Sequence, residues 1–192
     1  MSATILNLSV ADAGLELSRE EFAEAEFDLR YRYERHVGRL VVTPPAGHEH
    51  RVTSEPIRDR LVVYKVAHPE IIEHVFEESW TSIDDNTDRI PDIAVYLRAR
   101  FAGQEVPDRI PELIFEIVSP GRANRRRDYD EKRDEYERVG VLEYVIVDRF
   151  DHELTVLQLV DGHYQQEILK PRDTYRTPLL PGLEILLQSI IG

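Results

Sequence analysis

The chain has 192 residues, enough to bury a core within one domain, and its lack of cysteine excludes disulfides and thiolate metal sites. A formal net charge of −13 weighs against a general nucleic-acid binder, because Lys and Arg contacts to phosphate supply most of that affinity, although a local basic patch can escape the global sum. The start has no basic segment and no apolar run nears the roughly 18 residues of a membrane span, so a cytoplasmic protein with no membrane partner is expected.

Residues 1–16 read as an arm on a single domain of residues 1–192. Ser18 and Glu21 form a capping box that opens a short helix to about Phe27. The segment YRYERHVGRLVVTPP reads as a β-hairpin turning at Val37-Gly38. Helical spacing follows from Gly47 to about Val66, interrupted by Pro56, which should start or kink a helix. Residues 72–83 and 91–97 read as strands, as does Leu113 to Val118, and a helix is expected from about Asn124 to Val139. Strands at 143–147, 154–160 and 163–169 complete the chain. Helices before and between strands point to an α/β or α+β fold with a mixed sheet.

Within LIFEIV, alternation puts Leu113, Phe115 and Ile117 on one face and Ile114, Glu116 and Val118 on the other. Apolar residues on both faces mark a central strand, so Glu116 is expected to be at least half buried, and a buried carboxylate needs a partner or a cation. Asp92, at the start of PDIAVYL, raises the same question, and two carboxylates at adjacent strand ends can hold a hard divalent cation. At 100° per residue with Tyr129 at zero, Lys132 falls near about −60°, between Tyr136 at about −20° and Val139 at about −80°. That places a lysine inside the apolar stripe facing the sheet, either as a structural counter-ion or as a catalytic cation. Tyr129 and Tyr136 read as core, and Asp148 as a turn residue.

These residues resemble a known pattern. Pro91-Asp92, then Glu116 within FEIVSP 24 residues on, then Asp128, Glu131-Lys132, Tyr136, Gly140-Val141, Glu143-Tyr144 and Ile146-Val147-Asp148 are similar to the Uma2 family of the PD-(D/E)xK nuclease superfamily. Tyr33-Glu34, Gly38, Pro44-Pro45 and His50 resemble its upstream segment, and the likeness spans about residues 18–190. It implies a restriction-endonuclease-like core, a mixed central sheet flanked by helices, behind an N-terminal helix and β-hairpin. It also implies Mg²⁺ or Mn²⁺ held by Asp92, Glu116 and the Ile117 carbonyl, with Glu34 completing the metal shell or polarising a water. Nucleic acid, with DNA expected, is the implied partner. A strict E-x-K motif needs lysine where Val118 stands, and Lys132 matches a lysine moved to the following helix.

The reaction expected of such a site is metal-dependent phosphodiester hydrolysis, with Asp92, Glu116, Lys132 and Glu34 as catalytic residues. Arg122, Arg125, Arg126 and Arg127, just after the Glu116 strand, are placed to grip backbone phosphates, with His50 a further candidate contact. Two rivals stand beside this reading: a catalytically inactive nuclease-like scaffold that binds nucleic acid or protein, and a hydrolase of other phosphate esters. A homodimer is permitted, not required.

Overall fold

The computed structural model describes residues 5–100 and 106–191. Helix α1 (Arg19–Glu24) opens on the expected capping box: the Ser18 hydroxyl accepts from the Glu21 N–H at 3.1 Å, and the Glu21 carboxylate accepts from the Ser18 N–H at 2.8 Å. It stops short of Phe27, because Glu26–Phe27 extends and pairs parallel with Asn7–Leu8. The Phe27 ring thereby packs within 5.0–5.3 Å of Phe22, Tyr33 and Trp80, a contact a continued helix would forfeit. The described part of the expected arm is likewise tied down, with Leu8 buried and the Gly14 N–H donating to the Leu40 carbonyl at 2.8 Å.

The hairpin forms as read. Strands β1 (Arg32–His36) and β2 (Arg39–Thr43) pair antiparallel about Val37 and Gly38, both at positive φ, the backbone a two-residue primed turn demands. Helix α2 (His48–Ala67) runs through Pro56, and in the turn before it the Thr53 and Ser54 hydroxyls donate to the Glu49 and Arg51 carbonyls. The single strand expected over 72–83 divides at Glu78, which adopts φ 49°, into β3 (Ile72–Glu77) and β4 (Thr81–Asp84). The break lets β3 join the main sheet while β4 joins the N-terminal one. Strand β5 (Thr87–Arg89), only three polar residues, was not legible as a strand; pairing with both β1 and β4 makes it one.

Strands β6 (Ile93–Leu97), β7 (Leu113–Ile117), β8 (Glu143–Asp148), β9 (Glu153–Val160) and β10 (His163–Leu169) complete a six-stranded mixed sheet in the order β10-β9-β8-β7-β6-β3. β7 and β8 run parallel and the other neighbours antiparallel. The parallel pair is joined by α3 (Arg122–Arg126), a π-helical turn (Arg127–Glu131) and α4 (Lys132–Val139). A second sheet, β2-β1-β5-β4, carries the hairpin.

The alternation in β7 holds. Leu113, Phe115 and Ile117 pack with Ile57 and Leu61 of α2, whereas Ile114 and Val118 pack with Tyr136 of α4 and Tyr144 of β8. A strand covered on both faces leaves Glu116 only 3% exposed. Among the described residues, no helix is long and apolar enough to cross a membrane.

Candidate active site

Sheet register sets the first pair. Ile93 lies opposite Phe115 in the antiparallel β6–β7 pair, which carries Asp92 alongside Glu116. Asp92 Oδ2 accepts from the Ile117 N–H at 2.8 Å and from His50 Nε2 at 3.0 Å, and Oδ1 accepts from the Arg32 guanidinium at 3.2 Å. Because that His50 nitrogen faces a carboxylate, it carries the proton; the ring's Nδ1 is buried with no hydrogen-bond partner among the described residues.

The helix supplies the cation. Lys132 Nζ donates to Glu116 Oε1 at 2.6 Å, and the Tyr136 hydroxyl donates to the same oxygen at 3.1 Å. Lys132 is 2% exposed, so its head does not reach out to water as lysines on apolar stripes usually do. Val118, where a strict motif would carry lysine, belongs to the apolar cluster around Tyr136 and Tyr144. The ammonium therefore arrives from α4 and meets the same glutamate. Two further carboxylates face it at 3.9 Å, Glu34 from β1 and Asp128 from the π turn. π turns widen a helix by one residue and recur at functional sites; here that turn carries the buried Asp128.

Between these groups lies a cavity of about 20 Å³, lined by Glu34, Asp92, Glu116, Ile117, Asp128 and Lys132 among others. That is room for one water or one small cation. It adjoins a wider cleft of about 420 Å³ against α2, where Asp92 and His50 line both spaces. Among the described residues, no three acidic or histidine side chains form a ready cage for a metal ion. The donor set nevertheless suits Mg²⁺ or Mn²⁺, which are commonly held by one or two carboxylates with the rest of the shell water. Asp128 Oδ1, buried with no hydrogen-bond partner among the described residues, is the kind of oxygen such a shell would use.

Electrostatics separate the carboxylates. Burial pushes Glu116 up to about 8, reinforced by Asp92 and Asp128 against the opposing pull of Lys132. Burial opposes ionisation of Asp92 as well, but the His50 hydrogen bond and the Arg32 and Lys132 charges hold it well below the usual carboxylate range. At Glu34, burial is outweighed by Lys132, Arg89 and Arg127, which bring it down to about 2. Asp128 is raised, chiefly by burial. A glutamate whose folded-state pKa is raised contributes stability below its unfolded value that is lost as pH climbs through the folded one. Glu116→Gln lacks that loss, so the variant's stability relative to wild type should rise between about pH 4.5 and 8, by an amount on the order of 5 kcal/mol. Urea unfolding at pH 5, 6.5 and 8 measures the difference; a flat profile would show that Glu116 is ionised throughout.

The remaining expected residues scatter. Arg127 lines the cavity, but Arg125 turns to Asp148 and Asp151 and lies over the Tyr129 ring, Arg126 is exposed near Glu131, and Arg122 is exposed. Asp148 is the expected turn residue, accepting from the Phe150 and Asp151 N–H groups. His48 lies in the outer cleft. Arg32, Arg89 and Asp128 were not assigned to the site from sequence. Asp128 alone left a signal there, standing four residues before Lys132 in a helix; Arg32 and Arg89 are brought in by the second sheet.

The Uma2 family model, described as "Putative restriction endonuclease", matches residues 19–188. The chain belongs to the Uma2 family. A solved structure from Anabaena variabilis, described as "a putative nuclease belonging to DUF820", superposes on the Uma2 chain with a TM-score of 0.73 at 16% identity, covering 91% of this chain and 97% of that one. At that identity the likeness shows a shared fold, and it matches the mixed sheet flanked by helices found here. Comparison with curated proteins yields no match.

Proposed function

We propose that this Uma2 protein is a metal-dependent nuclease that hydrolyses phosphodiester bonds, with Asp92 and Glu116 holding Mg²⁺ or Mn²⁺ and the Ile117 carbonyl a further ligand. The observation that carries this reading is the convergence of Asp92, Glu116, Lys132 and Glu34, from three strands and one helix, on a cavity with room for a single ion or water. A bound divalent cation would supply Lewis acidity and lower the pKa of a water. The chain's own residues do the rest. Asp92, fixed by the Ile117 N–H and His50, stays ionised as a ligand, and Lys132, held by Glu116 with Glu34 and Asp128 close by, presents its charge where negative charge develops on the phosphoryl oxygens. Glu34 is committed to the Ile90 N–H and Arg89, so its role is to position Lys132.

One observation favours the scaffold reading: Arg32, His50 and Lys132 already satisfy Asp92 and Glu116 without a cation. Cleavage assays on single-stranded DNA, duplex DNA and RNA with Mn²⁺ decide between them, comparing wild type with Asp92→Asn and Glu116→Gln. The nuclease reading requires cleavage of at least one substrate that both variants lose while folded. In parallel, Mn²⁺ at about 100 times its Kd should stabilise wild type by about 2.7 kcal/mol, a Tm rise of roughly 5–10 °C, and leave Glu116→Gln unmoved. Equal shifts in both proteins would place the ion elsewhere.

A further inference from the structure

We propose that an aromatic pocket beside the acidic cavity is a subsite for one unstacked nucleobase of a nucleic-acid strand, an inference that rests on the nuclease reading above. The pocket has a volume of about 430 Å³ and is walled by Phe27, Tyr31, Tyr33 and Trp80, with Leu29 at its rim and Arg32 at its inner end. It is mostly apolar, and Leu29 is 94% exposed, an apolar side chain left in water. The indole is fixed in place: Trp80 Nε1 donates to the Tyr33 carbonyl at 3.0 Å, and its ring packs on Phe22 and Phe27. A rigid aromatic wall of this kind is what base stacking uses, because every base has a π-face.

Arg32 ties this pocket to the chemistry. Its side chain lines both the aromatic pocket and the acidic cavity, with one guanidinium nitrogen 3.2 Å from Asp92 and 3.6 Å from Glu78, and the other donating to the Ile90 carbonyl at 2.8 Å. A phosphate at the acidic cavity would thus meet Arg32 on the side from which an adjoining base enters the pocket. The sequence Leu29-Arg30-Tyr31-Arg32-Tyr33 alternates cations with aromatic rings, and Arg30 is exposed beside the rim. An anionic backbone with flat apolar bases matches that alternation, whereas an apolar peptide has no use for the arginines.

Trp80 is the only tryptophan of the chain, so its fluorescence reports this pocket alone. The test titrates full-length Glu116→Gln, in chelator so that nothing is cut, with a 12-residue oligothymidylate and with an abasic phosphodiester of equal length and charge. The base-bearing strand should quench Trp80 and bind roughly 5- to 100-fold tighter than the abasic one, and Tyr31→Ala should remove most of that difference. Leu29→Ser, at an exposed position that cannot threaten the fold, should weaken it partially. Equal affinity for the two strands, or binding without a Trp80 signal, overturns the subsite. Self-association that buries Trp80 without any strand present also overturns it, by giving the pocket to a second copy. Wild-type cleavage with Mn²⁺ is scored separately: cleavage with no base preference leaves the nuclease standing and the subsite lost. Base-dependent binding without cleavage keeps the subsite and sinks the nuclease.

Discussion

Lys132→Met is expected to lower cleavage by about 100- to 1,000-fold, the loss seen when one preorganised donor is removed from a transition state. It should also destabilise the fold by about 3–5 kcal/mol near neutral pH, because it strips a shared cation from Glu34 and Asp92, the carboxylates ionised there, and leaves their buried charge less compensated. The pH dependence separates these partners. Glu34 and Asp92 have folded-state pKa values below their unfolded ones, so what they draw from Lys132 is present above about pH 4 and is lost as pH falls. Glu116 runs the other way and takes its charge only as pH climbs through about 8, so its share of the Lys132 attraction appears there. The cost of Lys132→Met should therefore grow from about pH 2 to 4.5, level off, and grow again above pH 8. Lys132→Arg should not restore cleavage, since a planar guanidinium does not fit a cavity of about 20 Å³. Urea unfolding across that range, with cleavage normalised to folded protein, checks both halves. Full activity in a destabilised variant would reduce Lys132 to a counter-ion.

How much of this was legible in the sequence depends on how local each signal is. The capping box at Ser18, the Val37-Gly38 turn and the two-faced strand 113–117 are decided by neighbouring residues, and all three form. The helical wheel pointed Lys132 at the sheet even though the helix passes through a π turn first, because the turn ends at Glu131 and the face is re-established from Lys132 onward. What was not legible is what crosses between sheets. Nothing near Thr87–Arg89 announces a strand, since its stabilisation comes from Asp88 pairing with Arg35 and from Arg89 reaching α4. The four-arginine run looked like one basic patch and is dispersed by helix geometry, with Arg125 drawn to Asp148 and Asp151 while Arg127 turns to the cavity. Arg32, the residue that touches Asp92, lay hidden as one of several polar residues in the hairpin.

Arg89 should prove the most sensitive of the residues outside the cavity. It is fully buried, donates two parallel hydrogen bonds of 2.7 Å to Glu135 on α4, and reaches Glu34 on β1 at 3.2 Å. Its remaining bond goes to His36 Nδ1 at 2.8 Å, so one side chain joins the hairpin sheet to the helix that carries Lys132. Burial disfavours its charge, but Glu135 and Glu34 more than offset that, and Arg89 stays cationic at any pH the fold survives. Arg89→Met keeps the stem and deletes the fork, taking from Glu34 and Glu135 the cation they share, at an expected cost of about 3–5 kcal/mol, or roughly 10 °C in Tm. Arg89→Lys should recover little, because an ammonium cannot serve two carboxylates and an imidazole in one plane. Glu135→Gln added to Arg89→Met should return part of the loss, with a coupling of about 0.5–3 kcal/mol in the double-mutant cycle. Glu34, freed from Arg89, would then be held by the Ile90 N–H and Lys132 alone, so cleavage should fall further than the folded fraction does. A double-mutant cycle that sums additively would mean that Arg89 and Glu135 do not act as a pair, and that the helix bearing Lys132 is held to the hairpin by apolar packing instead.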